Sequence, residues 1–222
     1  LISLIFGTSA APDVIPTQGI TAVSSEDIAF ASEAGYRIKL LASAQKSGGK
    51  VYGNVEPALV PVSHPLASVN NEFNAVFING NAVDDLMFYG RGAGPLPTGS
   101  AVLGDVIGVA RKLEKDSAYD IVPQLRYDSG LEFAGEGTNK YYVRMTVADQ
   151  PGVLGKITTV LGEYGISIEV IQQKYPHELD GEIVVPLIFI LFPTEKSNLE
   201  SALEQIMQDD VVKSIENIMR VE

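Results

Sequence analysis

The sequence predicts an α+β protein in which an α/β sheet domain precedes a smaller domain of βαββαβ order. Apolar residues alternate with polar ones in several short runs and recur at helical spacing in others, so strands and helices are mixed along the chain. A polar stretch from Leu113 to Asn139 separates two halves and carries the glycines and proline typical of a linker. We therefore assign residues 1–112 to the first domain, 113–139 to the linker and 140–222 to the second domain.

The first half begins with a predicted helix and two strands. Ser24 followed three residues later by Asp27 is typical of a helix start, because these side chains satisfy backbone N–H groups there. We interpret Glu26 and Asp27 as first-turn helix charges rather than catalytic acids. Gly35 accepts the left-handed conformation of a helix end. A half-buried strand is predicted from Tyr36, and a second strand over Val51–Val60.

A hairpin and a long helix complete the first half. Phe73–Ile78 and Ala82–Tyr89 flank Asn79-Gly80, whose tolerance of positive φ predicts a tight turn at these two residues. From Thr98 to Lys112, apolar residues recur at helical spacing and form a wide stripe. That width predicts a helix buried on more than one side.

The second half reads strand, helix, strand, strand, helix, strand. Alternation or helical spacing of apolar residues marks the six segments, which are residues 141–147, 153–161, 166–170, 183–192, 199–206 and 211–221. The fourth segment is almost continuously apolar, as expected of a central strand covered on both faces. This order is that of a ferredoxin-like βαββαβ domain.

Composition restricts the classes of function. Hydrophobic residues make up 45% of the chain and charged residues 20%, which is ordinary for a globular protein. A net charge of -12 argues against nucleic acid or an anionic membrane as partner, because both require a basic surface. The absence of cysteine excludes disulfides and fits a cytoplasmic protein. His64 and His177 lie far apart in sequence, so no metal site is predicted.

The first residues resemble a secretion signal only superficially. The apolar run from Leu1 to Phe6 is too short for a signal peptide and has no basic residues before it. We interpret Leu1–Ala11 as the end of a buried helix that begins before this sequence. No segment reaches the length needed to cross a bilayer.

A glycine-rich segment is the first candidate site. Gly90-Arg91-Gly92-Ala93-Gly94 precedes Pro95 and the predicted helix near Thr98. Its glycines allow close backbone approach, and the helix start offers N–H groups and a positive dipole end. It does not match the dinucleotide fingerprint, because Pro95 occupies the place of the third glycine. From spacing alone, both a structural turn and a ligand-facing loop remain open.

The second candidate site joins the first strand of the second half to its first helix. It reads Asp149-Gln150-Pro151-Gly152-Val153-Leu154. Pro151 suits the first position of a helix, and Gly152 leaves the helix N-terminus open to a ligand carboxylate. From these residues alone, a plain strand-to-helix turn is the alternative.

Two segments together resemble one enzyme family. Residues 71–112, which include NAVFINGNAV and GRGAGPLPTG, are similar to the end of the catalytic domain of homoserine dehydrogenase. Residues 140–174, which include the D-x-P-G-x-L signature, resemble the opening of an ACT domain, the amino-acid-sensing module of many bacterial members. The resemblance implies a partial catalytic α/β sheet domain followed by a ferredoxin-like ACT domain, without the nucleotide-binding domain of the family.

The resemblance also implies site residues. The family interconverts L-homoserine and L-aspartate 4-semialdehyde with NAD(P), in the biosynthesis of threonine, methionine and isoleucine. Its glycine loop closes over the nicotinamide, which implies Gly94 as the main cofactor contact, supported by Gly92 and Thr98. The family usually has Ala where this sequence has Gly99. The ACT resemblance implies an effector site at Asp149–Leu154, close to a dimer interface, with threonine as the expected effector.

Most of the family's catalytic and coenzyme-binding residues align before Leu1. The proton-transferring lysine, the substrate-holding acids, the metal-binding loop and the coenzyme phosphate loop all lie there, so no catalytic or metal residue is assigned, and the choice between NAD and NADP stays open. We expect the C-terminal part of a cytoplasmic homo-oligomer, a dimer or tetramer, that is inactive by itself. The alternative is an amino-acid-binding regulatory module without a catalytic role. The glycine-rich segment discriminates, because a pure sensor has no use for it.

Overall fold

The computed structural model of the protein describes residues 2–114 and 130–222. Contacts divide these residues into two compact units: unit 1 contains residues 2–61 and 130–222, and unit 2 contains residues 62–114. This grouping differs from the predicted division at residues 113–139, because residues 2–61 group with the second half of the chain. Residues 115–129 of the predicted linker lie outside the described residues.

Helices and strands are mixed along the chain, which confirms the predicted fold class. The helices are α1 (Ile2–Phe6), α2 (Ser25–Glu33), α3 (Pro95–Glu114), α4 (Val153–Glu163) and α5 (Lys196–Ile206). The strands are β1 (Tyr36–Ser47), β2 (Lys50–Pro61), β3 (Phe73–Gly80), β4 (Asp84–Arg91), β5 (Glu132–Phe133), β6 (Asn139–Ala148), β7 (Ile168–Gln173), β8 (His177–Leu179), β9 (Glu182–Thr194) and β10 (Val212–Val221). Within the described ranges, every helix is too short or too polar to span a membrane.

Unit 1 is built on one sheet of eight strands. Its main path runs β1-β2-β10-β6-β9-β7, with β5 on β2 and β8 on β9. The last four strands of this path have the ferredoxin-like arrangement predicted for the second half. Strand β10 also pairs in parallel with β2, through Arg220 opposite Ala58 and Val221 opposite Leu59. The hairpin β1–β2 therefore extends the ferredoxin-like sheet, a connection that the sequence did not predict.

Strand β6 is buried because both faces of the sheet are covered. Tyr141, Val143 and Met145 contribute to a core formed with α4 and α5, as their alternation predicts. Tyr142 faces a second core, which contains Phe30 of α2 together with residues of β2, β9 and β10. A helix from the first half of the chain thus packs on the face of the sheet opposite α4 and α5.

The ends of α2 follow from its sequence. Ser24 accepts hydrogen bonds from the backbone N–H groups of Glu26 and Asp27, and the Asp27 carboxylate accepts one from the Ser24 N–H. This reciprocal capping satisfies N–H groups that the first helical turn leaves unpaired. At the other end, Gly35 has φ +80°, and β1 begins at the next residue. Both predicted boundaries are confirmed.

The turn of the hairpin in unit 2 begins two residues later than predicted. Asn79 and Gly80 belong to β3, where they pair with Asp85 and Asp84. Residues 81–83 form the turn, and Asp84 supplies the positive φ, at +51°. Aspartate tolerates this left-handed conformation, so the turn does not need the Asn-Gly pair. The predicted turn position was wrong, although the hairpin itself is present.

The predicted burial of two helices was also wrong. Helix α3 has no buried residue, and Leu96, Val102 and Leu103 are among its exposed apolar side chains. In α1, Leu4 and Ile5 are likewise exposed. Periodicity reveals that a helix has an apolar face, but it does not say whether the same stretch of chain covers that face.

Candidate functional site

The glycine-rich loop lies in unit 2 between β4 and α3. The Gly92 N–H donates to the Glu72 carbonyl over 2.8 Å, and the Thr98 N–H donates to the Gly94 carbonyl over 3.1 Å. Arg91 forms an ion pair with Glu72 and lies over the Phe73 ring, 4.9 Å from its centroid. Gly92 and Gly94 therefore lie in the connection from β4 to α3, and Thr98 lies in the first turn of α3.

A side chain added at Gly94 and one added at Gly92 would have different effects on this loop. Gly94 has φ +119°, a conformation that L side chains rarely adopt, while a Cβ there would meet only Pro97 at 3.5 Å. At Gly92, a Cβ would collide with the side-chain amide of Asn74. Backbone conformation favours glycine at position 94, whereas a side chain at position 92 would require the exposed Asn74 side chain to move away.

The predicted effector segment lies in unit 1, at the end of β6. The Asp149 N–H donates to the Ile183 carbonyl over 3.0 Å, and Gly152, with φ +91°, immediately precedes α4. Pro151 therefore stands before the helix and not at its first position, which corrects the sequence-based expectation. The helix starts two residues later because Gly152 adopts the left-handed conformation and serves as its N-cap.

The side chains of this segment point in different directions. Asp149, Gln150, Pro151 and Gly152 are exposed, as required of residues that meet a ligand. Val153 is 5% exposed and packs in the core between the sheet and α4. Val153 therefore anchors the turn, and any ligand contact falls to its neighbours.

A buried cluster around Asp27 was not predicted. Asp27 is fully buried, and its carboxylate accepts hydrogen bonds from Tyr142 Oη (2.6 Å), Arg144 Nε (2.7 Å) and Asn217 Nδ2 (2.9 Å). Burial by itself raises the pKa of Asp27, but the hydrogen bonds from Arg144, the Ser24 N–H, Tyr142 and Asn217 together hold that pKa below its ordinary value. The carboxylate is thus charged and fully hydrogen-bonded. We name these four side chains, of Asp27, Tyr142, Arg144 and Asn217, the Asp27 cluster.

A second buried polar group lies where β2 meets β10. Arg220 Nε is 3.6 Å from the Glu56 carboxylate, and Arg220 Nη2 donates to Ser43 Oγ over 2.5 Å. Burial raises the pKa of Glu56, and the nearby Glu136 raises it further, against the opposing effect of Arg220. Lys196 binds Glu136 at 2.8 Å. These charged side chains connect the first half of the chain to the ferredoxin-like strands.

Sequence reasoning missed both buried groups for one reason. Their members are single polar residues from distant parts of the chain, and no local pattern links them. One signal was present: Arg144 stands between the apolar residues Val143 and Met145, in a strand whose two faces are covered. A charge in such a strand requires a buried partner.

Comparison with known proteins gives two family matches. Residues 1–107 match the family model described as homoserine dehydrogenase, and residues 141–210 match the ACT domain. The homoserine dehydrogenase of Corynebacterium glutamicum is 39% identical across 100% of this chain and 50% of its own length. That of Bacillus subtilis is 33% identical across 94% of this chain and 48% of its own. The chain thus spans about half the length of the curated relatives that it matches.

Solved structures agree with these matches. The chain resembles a homoserine dehydrogenase from Thiobacillus denitrificans with a TM-score of 0.84 and 31% identity, over 99% of this chain and 50% of that one. It resembles the Staphylococcus aureus enzyme with a TM-score of 0.63 and 27% identity, over 100% of this chain and 50% of that one. The similarity therefore extends over both described units.

Proposed function

Because the chain belongs to the homoserine dehydrogenase family and carries an ACT domain, we propose that it forms the catalytic-sheet and regulatory part of such an enzyme. The complete cytoplasmic enzyme interconverts L-homoserine and L-aspartate 4-semialdehyde with NAD(P). The observation that carries this proposal is the joint match of one chain to both family models, over residues 1–107 and 141–210.

The glycine-rich loop is suited to meet the nicotinamide half of the coenzyme. Gly94 is exposed, and among the described residues beyond its two chain neighbours only Pro97 has atoms within 4 Å of the position where a Cβ would be. A flat ligand can therefore approach its backbone closely. Gly94 would be the main contact, with Gly92 and Thr98 holding the loop in shape. The bound coenzyme supplies or accepts hydride, and this chain contributes orientation.

The ACT domain is proposed to sense an amino acid, with threonine as the expected effector. The exposed residues 149–152 and the start of α4 offer a positive helix end to a ligand carboxylate. Effector sites of this kind are completed by a second copy of the domain, so we propose a homo-oligomer, a dimer or tetramer. Because the proposed enzyme acts in the pathway to threonine, we expect threonine to be the feedback signal.

The competing function is an amino-acid-binding module without a catalytic role. The complete ferredoxin-like arrangement in unit 1 favours it, since such a module could sense a ligand by itself. The match of residues 1–107 to the dehydrogenase family argues against it, because a sensor does not need the glycine-rich loop.

We expect the 222-residue chain alone to form no NAD(P)H from homoserine. By its resemblance to the family, this stretch of 222 residues does not include the proton-transferring lysine or the coenzyme phosphate loop, so we expect a polypeptide of these residues alone to lack proton transfer and tight coenzyme binding. The assay follows absorbance of the reduced coenzyme with the purified chain, beside the full-length protein as positive control. Homoserine-dependent turnover by the chain alone would contradict the expectation. An inactive full-length protein would instead contradict the proposed enzyme.

Threonine is expected to bind near residues 149–152 of the full-length protein. Isothermal titration with threonine, isoleucine and methionine identifies the effector, and Gly152→Ala provides the matched variant. The substituted residue would be strained at φ +91° without touching a neighbour, so binding should weaken while folding persists. The absence of heat with all three amino acids at millimolar concentration would indicate an ACT domain that serves assembly only.

A further inference from the structure

We propose that the Asp27 cluster couples the ACT domain to the dehydrogenase half, so that effector binding is transmitted through this buried charge. The inference rests on the proposed sensing function, and it names the connection through which sensing reaches the first half of the chain. Asp27, Tyr142, Arg144 and Asn217 act as positioning residues, without contact to substrate or coenzyme.

The cluster joins three elements of different origin. Asp27 stands in the first turn of α2, Tyr142 and Arg144 stand on β6, and Asn217 stands on β10. One carboxylate oxygen accepts from Tyr142 and Arg144, and the other accepts from Asn217 and from Arg144 Nη2 at 3.3 Å. One charged group therefore links the first half of the chain to two strands of the ACT sheet.

The ACT side of the cluster is close in sequence to the proposed effector segment. Strand β6 runs from the cluster to Ala148, and the effector turn begins at the next residue. Ala148 and Asp149 are held by backbone hydrogen bonds to Val211 and Ile183, so a ligand that orders the turn also pulls on the end of β6. Arg144 lies four residues before Ala148 on that strand.

The other side of the cluster leads into the hairpin of the first half. Helix α2 ends at Glu33, and β1 starts at Tyr36 and pairs with β2 from Tyr36–Pro61 to Ser47–Lys50. The Phe30 ring packs 5.3 Å from the Tyr142 ring, centroid to centroid. A displacement of β6 that moves Asp27 therefore moves α2 and the strand that follows it.

The connection through the Asp27 cluster differs from apolar packing because it contains a buried charge. When a hydrogen bond to a buried carboxylate breaks, more stabilising free energy is lost than for a carboxylate in water. Conformations in which the Asp27 hydrogen bonds are partly broken are therefore unfavourable. Two further ion pairs also connect α2 to the ACT domain, and both lie at the protein surface. Glu26 lies 3.6 Å from Arg144 with its side chain 69% exposed, and Glu33 binds Lys174 at 2.6 Å with its side chain 60% exposed. Solvent screens both exposed pairs.

The test compares two tyrosines in the full-length enzyme. Tyr142→Phe removes one hydrogen bond to Asp27 and retains the Asp27–Arg144 ion pair. Tyr164→Phe is the matched control, because Tyr164 donates to Gln205 over 3.0 Å between α4 and α5, inside the ACT domain. Each variant is measured for threonine affinity by calorimetry and for the ratio of activities without and with saturating threonine.

The expected results separate coupling from binding. Wild type and Tyr164→Phe should give an activity ratio of about 5 or more, the lower range of allosteric coupling. Tyr142→Phe should bring the ratio close to 1, with threonine affinity changed by less than about 3-fold. An unchanged ratio in Tyr142→Phe would overturn the coupling role and leave sensing intact. A wild type that does not respond to threonine, isoleucine or methionine would overturn the sensing function and this inference together.

A second variant tests the same proposal in case Tyr142→Phe does not fold. Asn217→Ser removes the 2.9 Å hydrogen bond from β10 to Asp27, together with the 3.2 Å bond from Asn217 Nδ2 to the Ala22 carbonyl, and leaves both β6 partners of Asp27 in place. The same loss of activity ratio with retained affinity is expected. Equal loss of affinity and ratio in both variants would mean that the cluster only maintains the ACT fold.

Discussion

Replacing Asp27 by alanine is expected to lower the free energy of unfolding of unit 1 by about 3–5 kcal/mol. The substitution leaves Arg144 buried without its principal partner, and it removes the acceptor for Tyr142 and Asn217. Removing one member of a buried charge pair is costly because the other charge stays desolvated. Urea denaturation followed by circular dichroism measures the change.

Glu26→Ala is the matched control, one residue away in the same helical turn. Its carboxylate also faces Arg144, at 3.6 Å, but its side chain is 69% exposed. Exposed pairs of this kind contribute at most about 1 kcal/mol. If Asp27→Ala cost no more than Glu26→Ala, the buried cluster would not be a principal source of stability.

The pH dependence of stability gives an independent check on Asp27. Since its pKa is lowered in the folded protein, the stabilisation is present above the ordinary carboxyl value of about 4 and is lost as pH falls through the folded pKa. Glu56 has the opposite sign. Its raised pKa means that stability declines as pH rises from the ordinary value through the raised one. Asp27→Ala should remove the part of the loss of stability in acid that comes from Asp27, and it should keep the Glu56 effect.

Gly94→Val in the full-length enzyme is expected to reduce kcat/KM on the order of 100-fold, the effect of misplacing a contact by about 1 Å. Valine disfavours φ +119°, so the loop must move away from the position proposed to meet the nicotinamide. Steady-state kinetics at several coenzyme concentrations measures the loss, and a melting curve reports folding.

Gly99→Ala serves as its control. It lies in α3, where a Cβ would meet no other side chain of the described residues within 4 Å, and alanine suits a helix better than glycine. Kinetics close to wild type are expected for it. Wild-type kinetics in Gly94→Val would reduce the loop to a structural turn, and loss of folding would assign Gly94 a purely structural role.

Local patterns predicted the parts of the fold that depend on local chemistry. Ser24 and Gly35 bound a helix because capping and left-handed backbone are properties of single residues. The alternation of Tyr141, Val143 and Met145 identified one buried face of β6. The pairing of β2 with β10 carries no such local pattern, since it joins residues far apart in the chain.

The candidate sites follow the same division. The glycine-rich loop and the turn at residues 149–154 were located from short motifs, and their roles remain predictions. The Asp27 cluster could not be located in this way, because Asp27 looks like any first-turn helix acid. Only the fold brings it against Arg144 and shields it from water.

The parallel pairing of β2 with β10 has a consequence for biosynthesis. Strand β2 leaves the ribosome long before β10, because all of unit 2 and most of the ACT domain are translated between them. Ala58 and Leu59 of β2 are fully buried in the folded protein. Until β10 is translated, the edge of β2 that pairs with β10 is unpaired at these residues. Such an edge can pair with other chains, and contacts between distant segments form slowly. The eight-stranded sheet of unit 1 is therefore completed only after β10 has been translated, and until then the β1–β2 hairpin needs protection from pairing with other chains.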